Sequence, residues 1–188
     1  MTPPRWVVIA GSIALVGLTY GVAATVPTTA AMEAPFATRG VVGETLSGRV
    51  LEATVTELRF ADELRADDWR GTTNGAWLVV DAIVAGVIER TTVSAVLMVD
   101  GIEYAASDRI SFDALTERVV DPLLPIIGSI AFEVPADLAE APGADEATLV
   151  LQPGGDARLE SVLEVRVDLT ALQRVERFEL ETPREVAR

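Results

Sequence analysis

Residues 6–26, WVVIAGSIALVGLTYGVAATV, run for twenty-one positions without a charged side chain. At about 1.5 Å per residue, a helix over this run is roughly 30 Å long, the thickness of a bilayer's hydrocarbon core. No water reaches the backbone there, so a lone segment crosses as a helix. Arg5 precedes the run, Trp6 and Tyr20 suit the headgroup layers, and the next basic residue is Arg39. Positive charge retained inside leaves the amino terminus in the cytoplasm and sends the rest of the chain out. The expected organisation is a cytoplasmic terminus at 1–5, a transmembrane signal-anchor at 6–26, a linker at 27–46, an extracytoplasmic domain at 47–170 and a tail at 171–188. The competing reading is a cleaved secretory signal, since small residues around Ala24 and Ala30 resemble cleavage sites. Signal cores usually run about 7–15 apolar residues, and this one is longer. Within the run, Gly17 and Gly21 have GxxxG spacing, a candidate helix–helix contact and a route to a homodimer. Membrane helices are in any case rich in Gly.

The exported part is then bounded by what it lacks. The 188-residue chain as a whole contains no Cys and no His, which removes disulfides, thioether lipid attachment, imidazole or thiolate zinc sites, and Ser-His-Asp or Cys-His catalysis. Twenty-nine acidic residues face fifteen basic ones, all Arg, for a formal charge of −14. Such a surface repels phosphate backbones, so nucleic acid is an unfavoured partner. With the anchor and linker removed, the remainder has the size of one domain with its own core.

Period-two patterning dominates that remainder. Leu51, Ala53 and Val55 alternate with Glu52, Thr54 and Thr56, then the phase slips so that Leu58 and Phe60 take the apolar positions, which predicts a bulge near Thr56. Residues 62–75, DELRADDWRGTTNG, are polar and end in turn formers, so a long loop is expected. Residues 77–84, WLVVDAIV, are apolar on both faces except at Asp81, as in a central strand buried twice. Residues 91–99 alternate into Asp100-Gly101, a two-residue hairpin signal. Further strands are expected near Arg109, over 129–134 and 148–151, and over 162–169, where Leu163, Val165, Val167 and Leu169 share one face. Pro27 closes the anchor, and the linker after it keeps no period. In the tail, Leu172, Val175 and Phe178 fit neither the helical nor the strand period, and its form stays open. Seven or eight short strands with no helix between them predict a mainly β fold, an antiparallel β-sandwich.

The order GAWLVVDAIV, VLMVDGIEYAAS, PIIGSIAFEVPADL and LVL resembles a bacterial envelope family of immunoglobulin-like domains of unknown function. Members include lipoproteins and single-span proteins of Gram-positive bacteria, and a mycobacterial secreted immunoprotective antigen is related in fold. The matching positions are Asp81, the turn at Asp100-Gly101 followed by Tyr104, and Gly128 leading to Phe132, Val134 and Pro135. This chain departs from the family in having no lipid-bearing Cys and no Asn at the end of the Trp77 strand. The resemblance implies an immunoglobulin-like sandwich at the cell envelope; it implies no activity and no site.

Few residues invite a chemical role. Asp81, an acid on an apolar strand, needs a partner and is read as a structural buried acid held by a hydrogen bond or an Arg. Asp62, Glu63, Asp67 and Asp68 crowd one segment but lack calcium-loop spacing, so no metal is assigned. Trp69 and Trp77 could present an aromatic face to a sugar or peptide, although Trp77 opens a buried strand. No catalytic residue and no cofactor follow from the sequence. The expected function is a non-catalytic, membrane-anchored binding or accessory domain whose partner is another envelope or membrane protein. The alternatives are a carboxylate-dependent hydrolase of cell-wall glycan and a structural subunit of a transporter or secretion assembly.

Overall fold

Alternation builds the sheets. Leu163, Val165 and Val167 are buried while Glu164 and Arg166 between them are not, and Val93, Ala95, Leu97 and Val99 repeat the pattern. Side chains on a pleated strand point to opposite faces in turn, so one face can enter a core while the other meets water. The computed structural model describes residues 35–66, 69–110, 114–155 and 160–186. In chain order its strands are β1 (Phe36–Val41), β2 (Thr45–Ser47), β3 (Leu51–Ala66), β4 (Trp69–Gly86), β5 (Thr91–Val99), β6 (Ile102–Ala105), β7 (Val119–Val120), β8 (Ile126–Val134), β9 (Ala147–Pro153), β10 (Ser161–Val167), β11 (Arg174–Glu179) and β12 (Arg184–Glu185). The only helices between them among the described residues are short 3-10 turns.

Two six-stranded sheets result, one in the order β1-β10-β9-β5-β6 with β7 beside β5, the other in the order β11-β3-β4-β8-β12 with β2 beside β3. All of these pairings are antiparallel except β1 with β10 and β11 with β3. The protein is mainly β, and the two sheets form a sandwich. Leu78, Val80, Ile130 and Phe132 of the second sheet share a core with Leu97, Leu149, Leu151 and Leu163 of the first. At the β5–β6 turn, Asp100 and Gly101 have φ of 48° and 77°, the pair of positive values that a type I′ hairpin turn requires.

A second core lies on the outer face of the second sheet. Trp77, Val79 and Ala131 point outward there and are buried with Ala61, Leu64 and Leu180. Part of the cover comes from the far end of the β3–β4 hairpin. Trp69 and Trp77 are eight residues apart on β4, roughly 26 Å if the strand ran straight. Their rings nevertheless meet edge to face with centroids 6.2 Å apart, so the strand doubles back. The reversal sits where the register shifts: Ala61 opposes Trp77 while Glu63 opposes Thr72, which sets residues 73–76 against Asp62 alone. Gly75 fits there because a Cβ would lie 2.0 Å from the Val134 carbonyl oxygen.

Several boundaries differ from the sequence reading. The sandwich begins at Phe36, inside the expected linker, because β1 adds a parallel edge strand to β10. Within the polar segment 62–75, where the sequence predicts a long loop, Glu63, Leu64, Arg65 and Ala66 pair with Thr72, Gly71, Arg70 and Trp69 as the two arms of a hairpin. The tail supplies β11 and β12, so the domain does not stop at 170. The strand expected near Arg109 is a turn at Arg109 and Ile110, with Ile110 buried. The bulge near Thr56 falls between Val55 and Glu57. The run 6–26, with Gly17 and Gly21, lies outside the described residues, and among the described residues no helix is long and apolar enough to cross a membrane.

Candidate functional site

Along β4 the outer face changes from apolar to polar at Asp81. Its cross-strand neighbours are Glu57 on β3 and Ser129 on β8, so the three side chains form one row on one face. Asp81 Oδ1 accepts a hydrogen bond from Ser129 Oγ at 2.6 Å, and Oδ2 lies 3.0 Å from Arg59 Nη2. Arg59 also meets the Glu57 carboxylate, and its guanidinium carbon sits 4.5 Å from the centroid of the Phe178 ring. The cation is therefore held from the side by two acids and from above by an aromatic face. Side-chain exposure is 13% for Arg59 and 22% for Asp81, so the pair is largely but not wholly removed from water. Asp81 is thus half-buried, whereas its hydroxyl partner Ser129 is buried. The Thr56 hydroxyl donates to the Asp81 carbonyl at 3.1 Å, bracing the bulge beside them.

The carboxyl-terminal tail closes this face. After β11 at one edge of the sheet, Leu180 donates its N–H to the Arg65 carbonyl at 2.7 Å. The chain then crosses to the opposite edge, where Arg184 pairs with Ile127 and Val186 donates to the Pro125 carbonyl at 2.8 Å. Gly128 lets this strap lie flat, since a Cβ there would stand 2.9 Å from Pro183 Cγ. Between strap and sheet is a cavity of about 320 Å³ whose walls include Arg59, Asp81, Ser129, Phe178, Glu181 and Arg184. Its volume is at the small end for ligand sites, and its walls carry both signs of charge. Both Asp81 oxygens are already engaged, so the carboxylate joins β4 to β3 and β8.

Other acids flagged in the sequence are tied to Arg. Asp62 bridges to Arg174 at 2.8 Å, and Glu63 meets Arg65 at 2.5 Å, Arg177 at 3.3 Å and Arg70 at 3.4 Å. Arg65, hydrogen-bonded to Glu63, is the main cause holding that carboxyl below its ordinary value, with Arg70 and Arg177 adding to it. Asp67 and Asp68 lie outside the described residues, and no group of three or more metal-ligating side chains occurs among the described ones. Asp168 is also held below its ordinary value, chiefly by the Thr170 hydroxyl, as it caps the 3-10 turn at Leu169–Ala171. Trp77 is fully buried and cannot offer its face to a sugar; Arg109 stacks on it at 5.4 Å and bonds Glu133 at 3.0 Å.

Sequence reasoning reached Asp81 but not Arg59, Ser129, Phe178 or Arg184. Two of these left a trace in the sequence. Arg59 follows the phase slip and so shares a face with Glu57, while Ser129 is the polar residue in an apolar stretch, IIGSIAF. The other two arrive through the tail, whose course the pattern did not disclose.

No family model and no curated protein matches the chain. Among solved structures, an uncharacterised β-sandwich protein from Clostridium difficile is similar at a TM-score of 0.48 and 12% identity, over 76% of this chain and 99% of that one. The yjhA protein from Bacillus subtilis aligns at 0.46 and 11%, over 66% and 98%. A candidate lipoprotein from Staphylococcus aureus aligns at 0.42 and 10%, over 74% and 97%.

Proposed function

We propose that this chain is a membrane-anchored, extracytoplasmic binding or accessory domain without catalytic activity, which contacts another envelope or membrane protein. The observation that carries the reading is the commitment of Asp81: one oxygen accepts from Ser129, the other faces Arg59, and Arg59 is shared with Glu57. A glycan hydrolase needs one carboxyl free to protonate and another free to attack or activate water. Asp81 is instead part of the cross-strand scaffold. The uncharged run 6–26 supports a single-pass anchor with the amino terminus inside, and Gly17 and Gly21 support self-association through that helix. The immunoglobulin-like envelope family, with its relation in fold to the mycobacterial antigen, belongs to the same proposal.

The test is affinity capture of the full-length protein from detergent-solubilised membranes, together with topology reporters fused at each end. A reproducible companion and an external carboxyl terminus are expected. A carboxyl-terminal reporter that stays in the cytoplasm overturns the location, and repeated capture of nothing overturns the partner.

A further inference from the structure

The first sheet ends at β1, whose strand partner is β10. Phe36 donates its N–H to the Glu160 carbonyl at 2.8 Å, so the backbone groups of residues 36, 38 and 40 face β10 and those of 37, 39 and 41 face away. Val41 is satisfied there by Glu44, which donates its N–H to the Val41 carbonyl at 3.1 Å while its carboxylate accepts from the Val41 N–H at 3.3 Å. Ala37 and Arg39 keep outward N–H and C=O groups that have no partner among the described residues. Folded proteins guard such edges by shortness, charge or proline. Here β2, β7 and β12 have only two or three residues, β6 is four residues long with Glu103 in it, and β11 carries Arg174, Glu176, Arg177 and Glu179. By contrast β1 is six residues long, and its charged residue, Arg39, is matched by Glu164 at 2.8 Å. At its start the Phe36 ring is 68% exposed.

We infer that this edge is a dimer contact: β1 pairs antiparallel with β1 of a second copy across a twofold axis at Thr38, joining the first sheets of both copies into one. The inference is independent of residues 6–26. A strand of any protein could satisfy Ala37 and Arg39; what selects a second copy is the register. Facing residues of an antiparallel pair keep their side chains on one side of the sheet, so the twofold axis must fall on a residue. With the axis on Ala37, Arg39 would face Pro35, which has no N–H to give. With it on Arg39, the two Arg side chains face each other, and Ala37 meets Val41, already bonded to Glu44. With it on Thr38, each Ala37 exchanges both of its bonds with Arg39 of the other copy, and no free group is left over. The side chains agree with that register. Thr38 meets Thr38 at a close position without hydrogen bonds between the backbones, a favourable cross-strand pair. Phe36 lies beside Gly40 of the other copy, where Leu46 fills the space of the absent Cβ, so the exposed ring gains an apolar floor and covers bare backbone. Arg39 stands opposite Ala37, and its own Glu164 stays beside it.

The chain has no native Cys, so a single introduced Cys reports its position without background. The experiment oxidises the full chain mildly in detergent micelles, carrying Thr38→Cys, Ala37→Cys or Ile102→Cys, with Gly17→Leu and Gly21→Leu added to remove the helix contact. Across the axis the two Cβ atoms at 38 are about 5 Å apart, within reach of a disulfide, whereas the two copies of 37 are offset along the strands. A linked dimer is expected at 38, with little at 37 or 102. In sedimentation, Ala37→Glu sets an acid against Arg39 of the other copy and should tighten the dimer about fivefold, and Ala37→Lys should loosen it by about as much. Ala37→Pro removes the outward N–H while residues 36, 38 and 40 keep their bonds to β10, so the dimer should be lost and the strand signal in circular dichroism retained. Linking at 37 or 102 as fast as at 38 overturns the contact, as does a monomer at every concentration or an equal response to Glu and Lys at 37. A link at 38 that forms only with Gly17 and Gly21 intact assigns association to the helix and also overturns it. If no link forms at 38 and Ala37→Pro instead abolishes capture of a companion protein, the edge belongs to that companion, which overturns the second copy as its occupant. Each of these failures leaves the proposed location and partner standing.

Discussion

Asp81 shows how one acid can hold three strands together where the outer face of a sheet turns from apolar to polar. Its two oxygens connect three neighbouring strands, Arg59 on β3 and Ser129 on β8 with β4 between them. Asp81→Ala leaves the Ser129 hydroxyl without its acceptor and leaves Arg59 with Glu57 alone. At this degree of exposure the loss is expected to be about 2 kcal/mol, read as a lower urea midpoint with an unchanged slope. A shift below about 0.5 kcal/mol would mean that the bond only replaces water. Glu63 makes a different prediction. Its carboxyl is held below its ordinary value of 4.5, principally by the Arg65 hydrogen bond, so the folded state binds the proton less readily than the unfolded chain. Its contribution is therefore complete above 4.5 and disappears as the pH falls through the lower folded value. Glu63→Gln should lower the melting temperature at neutral pH, and the gap from the unmodified protein should close in acid. A gap that persists there would trace the effect to lost packing.

The strands differ in how openly the sequence declares them. The spans 91–99 and 162–167 could be read from alternation because one face meets a core and the other meets water. β11 could not be read that way, and the reason is geometric. Ala61 pairs with Val175 and Leu64 with Phe178, and all four enter the second core. Both strands place inward residues three apart, because they bend together where the hairpin folds back over the sheet. A local period cannot report a bend imposed by a neighbour more than a hundred residues away. β1 was hidden for another reason: as a mostly exposed edge strand it has no buried row to alternate with. Asp81 was legible because a charge on an apolar strand is conspicuous; its Arg59 partner was not, because an Arg beside a Glu reads as solvated surface. The hairpin reversal itself depends on Gly75. Ala at this position would place its Cβ 2.0 Å from the Val134 oxygen, a backbone atom held by the pairing of β8 with β4 that cannot move aside cheaply. Gly75→Ala should destabilise the domain by more than about 2 kcal/mol, measured by thermal melting. Full stability in that variant would show that β8 shifts to admit the methyl.

At the scale of the whole molecule, two apolar cores share the second sheet, and they are closed by different parts of the chain. The inner core lies between the sheets and is built by residues from Leu46 to Leu169. The outer core is closed by the β3–β4 reversal and by the tail, through Val175, Phe178 and Leu180. Deleting residues 173–188 should therefore unroof one core and leave the other. Phe178 and Val175 are partly buried and Leu180 is buried, so the expected cost is about 3–5 kcal/mol at roughly 1.5–3 kcal/mol for each fully buried side chain. The circular-dichroism signature of strand should remain, while Trp77 emission moves to the red and a hydrophobic dye gains affinity. Leu180→Asp should reproduce the direction with the tail still present, since it places a charge against Trp77, Val79 and Ala131. If either change abolished the strand signal, the two cores would fold as one cooperative unit. If neither altered emission or dye binding, Trp77 would have to be shielded by the hairpin reversal alone, and the strap would serve the cavity above Asp81 instead of the core beside it.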